Sequence, residues 1–208
     1  MVELMIVLGI IVVIIAAAIP TIATMLRESR VRQAYEDVLS AMRRAHEAAI
    51  DRRRVVVLTF TKAVGSTPAN IQFLEEVKGV GAGGGTIYST APAVSTPNPE
   101  TINLPQDMDF ILPNPVPGVS PDGLPTAPAV PSQGIDYGYN STSAGAQNKI
   151  YFQANGQVLE NNENGPVADG VIYVGRAKDP TSNRAVSILG QTGRVKGWRL
   201  KAGVWTEY

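Results

Sequence analysis

The residues able to do chemistry in this sequence are few, and their spacing excludes more than it suggests. His46 is the single histidine and cysteine is absent. A thiolate zinc site, a cysteine nucleophile and a disulfide scaffold are therefore excluded together, and one imidazole nominates no Ser-His-Asp set. His46 stands among Ala45, Ala48 and Ala49, and a structural or surface place is expected for it. Glu75 with Glu76 and Asp107 with Asp109 are close acid pairs. Adjacent strand residues point to opposite faces and alternate ones to the same face, so either pair is as ready to be solvated as to move a proton. Asp107, Asp109 and Asp122 could also offer oxygens to calcium. Gly79, Gly81 and Gly84 formally spell G-x-G-x-x-G, but no helix pattern follows and no βαβ unit surrounds them. A tight connection is expected there, with no cofactor, and no enzyme is expected of the chain. Arg194, Lys196, Arg199 and Lys201 interleave with Trp198 and Trp205, a composition that could track phosphates and stack a base. The competing reading is a terminal strand whose charges guard a sheet edge, with Val195 and Gly197 turned inward.

Glu3 opens a different kind of chemistry. Residues 4–26 carry no charge, a length that exceeds what a helix needs to cross a ~30 Å hydrocarbon core. A carboxylate left unpaired in a bilayer costs roughly 2.5–3.5 kcal/mol. Glu3 either lies in the headgroup layer, near the positive end of its own helix dipole, or meets a cation from a neighbouring chain. No basic residue precedes the run, while Arg27, Arg30 and Arg32 follow it, so orientation by charge would be reversed unless a leader has been removed.

Helical spacing continues beyond the apolar run and becomes amphipathic. Val31, Tyr35, Val38, Met42, Ala45 and Ala49 form a stripe, and Arg32, Glu36, Asp37, Arg43, Arg44 and Glu47 take the other positions. One helix of about 80 Å is expected over residues 2–53, ending in Arg52, Arg53 and Arg54, which suit its negative terminus. Pro20 removes a backbone bond inside it, which predicts a kink or local melting.

MVELMIVLGIIVVIIAAAIP resembles the start of type IV pilins and type II secretion pseudopilins, with Glu3 at the family's glutamate and Pro20 at its helix proline. The stretch from Arg30 to Phe60, and TGRVKGWRL near the end, look like the GspH/FimT branch. The resemblance implies a structural subunit of an extracellular helical filament, held in the inner membrane before assembly. A prepilin peptidase and an assembly platform are its implied partners. It further implies that Glu3 pairs with the terminal amine of the next subunit, that Leu4, Ile6, Val7, Ile10, Val13 and Ile14 form the fibre core, and that Gly9 and Pro20 bend the rod. The family's mature chain opens with a methylated Phe four residues before its glutamate, whereas Glu3 follows Met1 by two, so a mature start other than Met1 is expected. The alternative is a minor pilin or pseudopilin of a secretion or DNA-uptake system that binds DNA through Arg194, Lys196, Arg199 and Lys201.

Past Arg54 the period falls to two. Strands are expected at 55–61, 70–77, 135–139, 149–153, 170–174, 185–189 and 194–200, with hairpin turns at Asn155-Gly156 and Thr192-Gly193. The expected class is α+β: a long helix, apolar over 1–26 and amphipathic over 27–54, packed on an antiparallel β-sandwich or curled sheet over 55–208. Eleven of the fifteen prolines fall at 92–131, and a surface excursion is expected at about 79–132. Ser, Thr and Pro at 89–101 and Asn140-Ser141-Thr142 could accept sugars. Net charge is zero, yet residues 27–54 and the tail are basic and the middle is acidic. Such a division could guide subunits into register.

Overall fold

The computed structural model describes residues 2–75, 77–80, 86–89, 100–113, 117, 121–124, 135–137, 148–159, 165–176 and 179–208, with the side chains of 2, 4, 6, 15–23, 75, 77–80, 86–89, 136–137 and 180–181 outside that description. Helix α1 (Val2–Arg52) is 51 residues long and runs through Pro20 as continuous helix. The expected local melting there does not occur. A proline deletes one hydrogen bond, and the intact turns on either side carry the helix across it. The helix stops where Arg53 turns to a left-handed φ of 50° and Arg54 N donates to Ala49 O. That closure satisfies a carbonyl that the helix end would leave orphaned.

The strands then follow in chain order: β1 (Val56–Thr61), β2 (Asn70–Glu75), β3 (Val77–Val80), β4 (Thr86–Ser89), β5 (Glu100–Asn103), β6 (Asp109–Phe110), β7 (Ile135–Tyr137), β8 (Lys149–Phe152) and β9 (Val158–Leu159). The last four are β10 (Gly170–Arg176), β11 (Asp179–Leu189), β12 (Arg194–Lys201) and β13 (Val204–Glu207). One antiparallel sheet has the order β5-β2-β1-β8-β9 and a second the order β13-β12-β11-β10-β6, with β7 also on β10. Among the described residues, strands β3 and β4 pair only with each other.

Alternation on the strands explains how the layers meet. Val56, Leu58 and Phe60 of β1, Ile150 and Phe152 of β8, Ile172 and Val174 of β10, and Val186 and Ile188 of β11 turn to one core. The helix enters that core with the whole expected stripe, Val31, Tyr35, Val38, Met42, Ala45 and Ala49, joined by Ala34, Leu39 and Ala41. Small residues at 34, 41, 45 and 49 let the helix backbone approach the sheets, and Tyr35 fits because Gly197 faces it: a Cβ there would overlap the phenol oxygen.

Both expected turns are present. Asn155-Gly156 joins β8 to β9, with Gly156 at φ 83° and the Asn155 side chain accepting from Gln157 N at 2.9 Å. Thr192-Gly193 joins β11 to β12 with Gly193 at φ 64°. Three differences stand out. Strand β11 begins at Asp179, six residues before the expected start; β5 and β6 lie within the expected excursion; and β13 was not expected at all. In each case the partner is a strand already in one of the two sheets: β2 for β5, β10 for β6 and for the start of β11, and β12 for β13.

Candidate functional site

The half of α1 outside the sheets is the most distinctive surface of the molecule. Met5, Val7, Leu8, Ile10, Ile11, Val12, Val13 and Ile14 are exposed, as are Met25 and Leu26, with Val13 at 69% and Met5 at 74%. Among the described side chains of the helix, burial begins at Val31. Isolated exposed apolar residues need no account, but ten on one rod form a surface larger than a soluble monomer ordinarily leaves to water. Glu3 lies in the first turn and is exposed, where its charge complements the N-terminal end of the helix dipole. Gly9 faces open space: a Cβ there would meet nothing within 4 Å. The side chains of Leu4, Ile6 and Pro20 lie outside the described residues.

Among the described residues no helix is long and apolar enough to cross a membrane. The span expected over residues 4–26 is therefore not supported.

Where the sequence placed four basic residues together, the strand divides them. Val195 and Gly197 do face the helix. By alternation Arg199 and Lys201 share that side, and Arg199 reaches Glu28 of α1 at 3.9 Å. Arg194 and Lys196 are on the opposite face, within 3.3 and 3.8 Å of the Asp122 carboxylate, and Lys196 also meets Glu207 at 3.0 Å. The tryptophans are engaged too: Trp198 Nε1 donates to Ser187 Oγ at 2.9 Å, and Trp205 lies 5.8 Å from the Tyr173 ring. No single strip of cations with free stacking rings results.

The candidate calcium ligands are likewise apart. Asp107 pairs with Arg30 at 3.3 Å and Arg176 at 3.7 Å; Asp109 accepts from Ala63 N and Phe110 N; Asp122 is held by Arg194 and Lys196. Among the described residues no group of three or more metal-ligating side chains occurs. Gly79 lies in β3, while Gly81, Gly84, Glu76 and the proposed sugar acceptors at 90–99 and 140–142 fall outside the described residues, as does the Glu75 side chain.

His46 occupies a junction that sequence inspection missed. Its Nε2 is 3.2 Å from Gly156 O, and a Cβ on Gly193 would overlap the imidazole, so both hairpin turns close onto one helical side chain. The signal was available, because two N-G/T-G turns and one histidine had to be placed somewhere, but only the fold brings them together. Two other groups on the helix are perturbed. Burial, then the nearby charges of Glu36 and Tyr208, pushes the Tyr35 phenol up to about 12. Burial, then Glu36, also raises the Asp37 carboxyl.

No family model matches the chain, and no curated protein matches it. Among solved structures, the type IV minor pilin FimU of Pseudomonas aeruginosa in one crystal form is 13% identical, covering 86% of this chain and 93% of that one, at a TM-score of 0.44. A second crystal form of FimU is 11% identical, with coverage of 84% and 96% and a TM-score of 0.43. The minor pseudopilin EpsH from the type 2 secretion system of Vibrio cholerae is 8% identical, with coverage of 82% and 97% and a TM-score of 0.42. These neighbours are of the kind that the N-terminal string resembles. At such scores they carry no argument about what this chain does, and the α+β class rests on its own helix and sheets.

Proposed function

We propose that this chain is a structural subunit of a type IV pilus-like extracellular filament, polymerising through residues 1–26 of its first helix. The observation that carries the reading is the division of α1: the stripe from Val31 onward is buried against its own sheets, whereas the described apolar side chains at Met5, Val7, Leu8, Ile10 to Ile14, Met25 and Leu26 are exposed. Each large apolar side chain taken from water contributes roughly 1.5–3 kcal/mol. A second copy offers the same rod, so covering one apolar half with others removes both surfaces from water. Contacts of this head-to-tail kind do not close, and they propagate as a helix.

In this reading Leu4, Ile6, Val7, Ile10, Val13 and Ile14 pack as the fibre core, while Gly9 and Pro20 allow the rod to bend. Glu3 sets the axial step by pairing with a cation of the next subunit. Storage in the inner membrane, and handling by a prepilin peptidase and an assembly platform, belong to the same proposal and rest on the uncharged run and the resemblance.

Negative-stain microscopy of the full-length chain after detergent removal tests it. Filaments are expected from the unaltered chain and far fewer from Glu3→Gln. A population that stays monomeric, or that associates only with added lipid vesicles, overturns the proposal. Equal filament yield from Glu3→Gln removes the electrostatic part alone.

A further inference from the structure

A strand whose cations guard a sheet edge is one sequence reading of residues 194–201, yet β12 is not an edge. Strand β13 pairs with it in an unbroken register from Lys201↔Val204 to Trp198↔Glu207 and takes the outer place in the sheet. Natural edges are commonly blunted by lysine, proline or a bulge. Strand β13 carries none of these: its sequence is VWTE, and its one charge, Glu207, is held by Lys196 at 3.0 Å.

The ladder decides which backbone groups of β13 face outward. Tyr208 N donates to Gly197 O at 3.0 Å, so by alternation Arg199↔Thr206 and Lys201↔Val204 are hydrogen-bonded pairs as well. The N–H and C=O groups of Trp205 and Glu207 therefore point away from β12. Among the described residues no strand pairs with them. On the helix side of β13, Val204 is 63% and Tyr208 59% exposed, and Tyr208 stacks on Tyr35 at 5.0 Å.

We infer that β13 is a self-complementary edge on which a second copy of this chain pairs antiparallel. One register uses all the outward groups of both copies, with Trp205 of each opposite Glu207 of the other. It sets Thr206 against its own equivalent and Val204 of each copy against Tyr208 of the other. These are non-hydrogen-bonded positions, where side chains meet closely. The two apolar side chains that the strand leaves in water thus cover each other. A slip of two residues either way carries one of the two bonded pairs off the strand.

The pairing also has a direction. Helix α1 meets Arg199 at Glu28 and Gly193 at His46, so it runs against β12 and along β13. Copies joined through antiparallel β13 strands therefore send their apolar rods opposite ways, which no single polar fibre allows. Resting on the filament proposed above, the contact is a lateral one between fibres of opposite direction. One pair of four-residue strands is weak alone and gains strength where many copies are arrayed.

Because cysteine is absent, an introduced disulfide reads the register. Equivalent Cα atoms at a non-hydrogen-bonded position lie about 4.5 Å apart, within the roughly 4.4–6.8 Å that a disulfide spans. Full-length Thr206→Cys, in detergent that covers the rods, is expected to form disulfide dimers on mild oxidation faster than Val64→Cys, which is exposed elsewhere on the domain. Val204→Cys and Tyr208→Cys chains stay at the Val64→Cys level singly and cross-link when mixed. Adding Glu207→Pro to Thr206→Cys deletes an outward N–H that the chain's own sheet does not use, and the dimer is lost. The mixing result keeps the test sound should the proline disturb the hairpin. The inference is overturned if Thr206→Cys dimerises no faster than Val64→Cys, or if Val204→Cys alone matches it. Dimers formed only between Thr206→Cys and Thr101→Cys of β5 would assign the edge another strand and overturn it too. None of these outcomes touches assembly through the rods, which microscopy of the cysteine-free chain reads separately.

Discussion

The two halves of α1 are built from similar residues and meet opposite fates. From Val31 onward the apolar side chains form one stripe, and the remaining positions carry Arg32, Glu36, Arg43 and Glu47. Before Arg27 the apolar residues go all the way round the helix. A stripe is satisfied by one sheet face, whereas a rod that is apolar on every side needs neighbours on every side. The difference teaches that the first half is no folding element of its own domain, because its described side chains, from Met5 to Ile14 and at Met25 and Leu26, are all left exposed by that domain.

Substitution separates the halves most sharply. Met42→Ala empties a fully buried site and should lower unfolding free energy by about 2–5 kcal/mol, read by chemical denaturation of a chain beginning at Arg27. Val13→Ala should leave the stability of the β domain unchanged and reduce filament yield. Loss of domain stability on changing Val13 would join the two halves that the account separates.

Next in size is Gly197→Ala. The added methyl collides with Tyr35, and overpacking of this kind should cost about 1–3 kcal/mol. Combining it with Tyr35→Leu should recover part of the loss, and a strictly additive double variant would deny the contact.

Alkaline titration gives a smaller effect with a definite sign. Tyr35 is pushed up to about 12 in the folded chain, so the unfolded chain gives up that proton first. Its contribution to stability is present below pH 10 and is lost as pH rises toward 12. Tyr35→Phe should flatten that part of the curve, as measured by denaturation midpoints against pH. Smallest of all, Asp37 carries a raised carboxyl whose charge the fold disfavours. Stability is greatest below the carboxylate range and declines as pH rises through it. Asp37→Asn should therefore stabilise the neutral protein by less than about 1 kcal/mol, and a lowered midpoint at neutral pH would contradict the assignment.

Much of this architecture was legible because periodicity is local. The stripe on α1, the strands around 56–61 and 170–174, and the turns at Gly156 and Gly193 all announce themselves within a few residues. What escaped depends on distant partners. Strand β13 is VWTE, strand-favouring in Val, Trp and Thr but only four residues long, and it forms because Ala202 and Gly203 both take positive φ and return the chain along β12. That A-G pair was the available signal. The early start of β11 lies in DPTSNR, where Asp179 and Arg184 pair with β10, Arg184 also pairs with β12, and the Ser182 hydroxyl bridges Arg176 N and Asp179 O. The tail was misleading in a physical way: composition put four cations and two tryptophans in one place, while alternation sent Arg194 and Lys196 to one face and Arg199 and Lys201 to the other. Asp122 could have offered an oxygen to calcium, and in the fold its carboxylate meets Arg194 and Lys196, 72 and 74 positions away in sequence.

The chain lacks cysteine, so a single spin label can be placed at will, and this permits the most direct test of the central claim. Val13→Cys and Glu47→Cys full-length chains would be labelled and their spectra recorded in detergent and after its removal. Strong dipolar broadening at position 13, with little at position 47, is the predicted result. Sharp, isolated spectra at position 13 under both conditions would contradict the account.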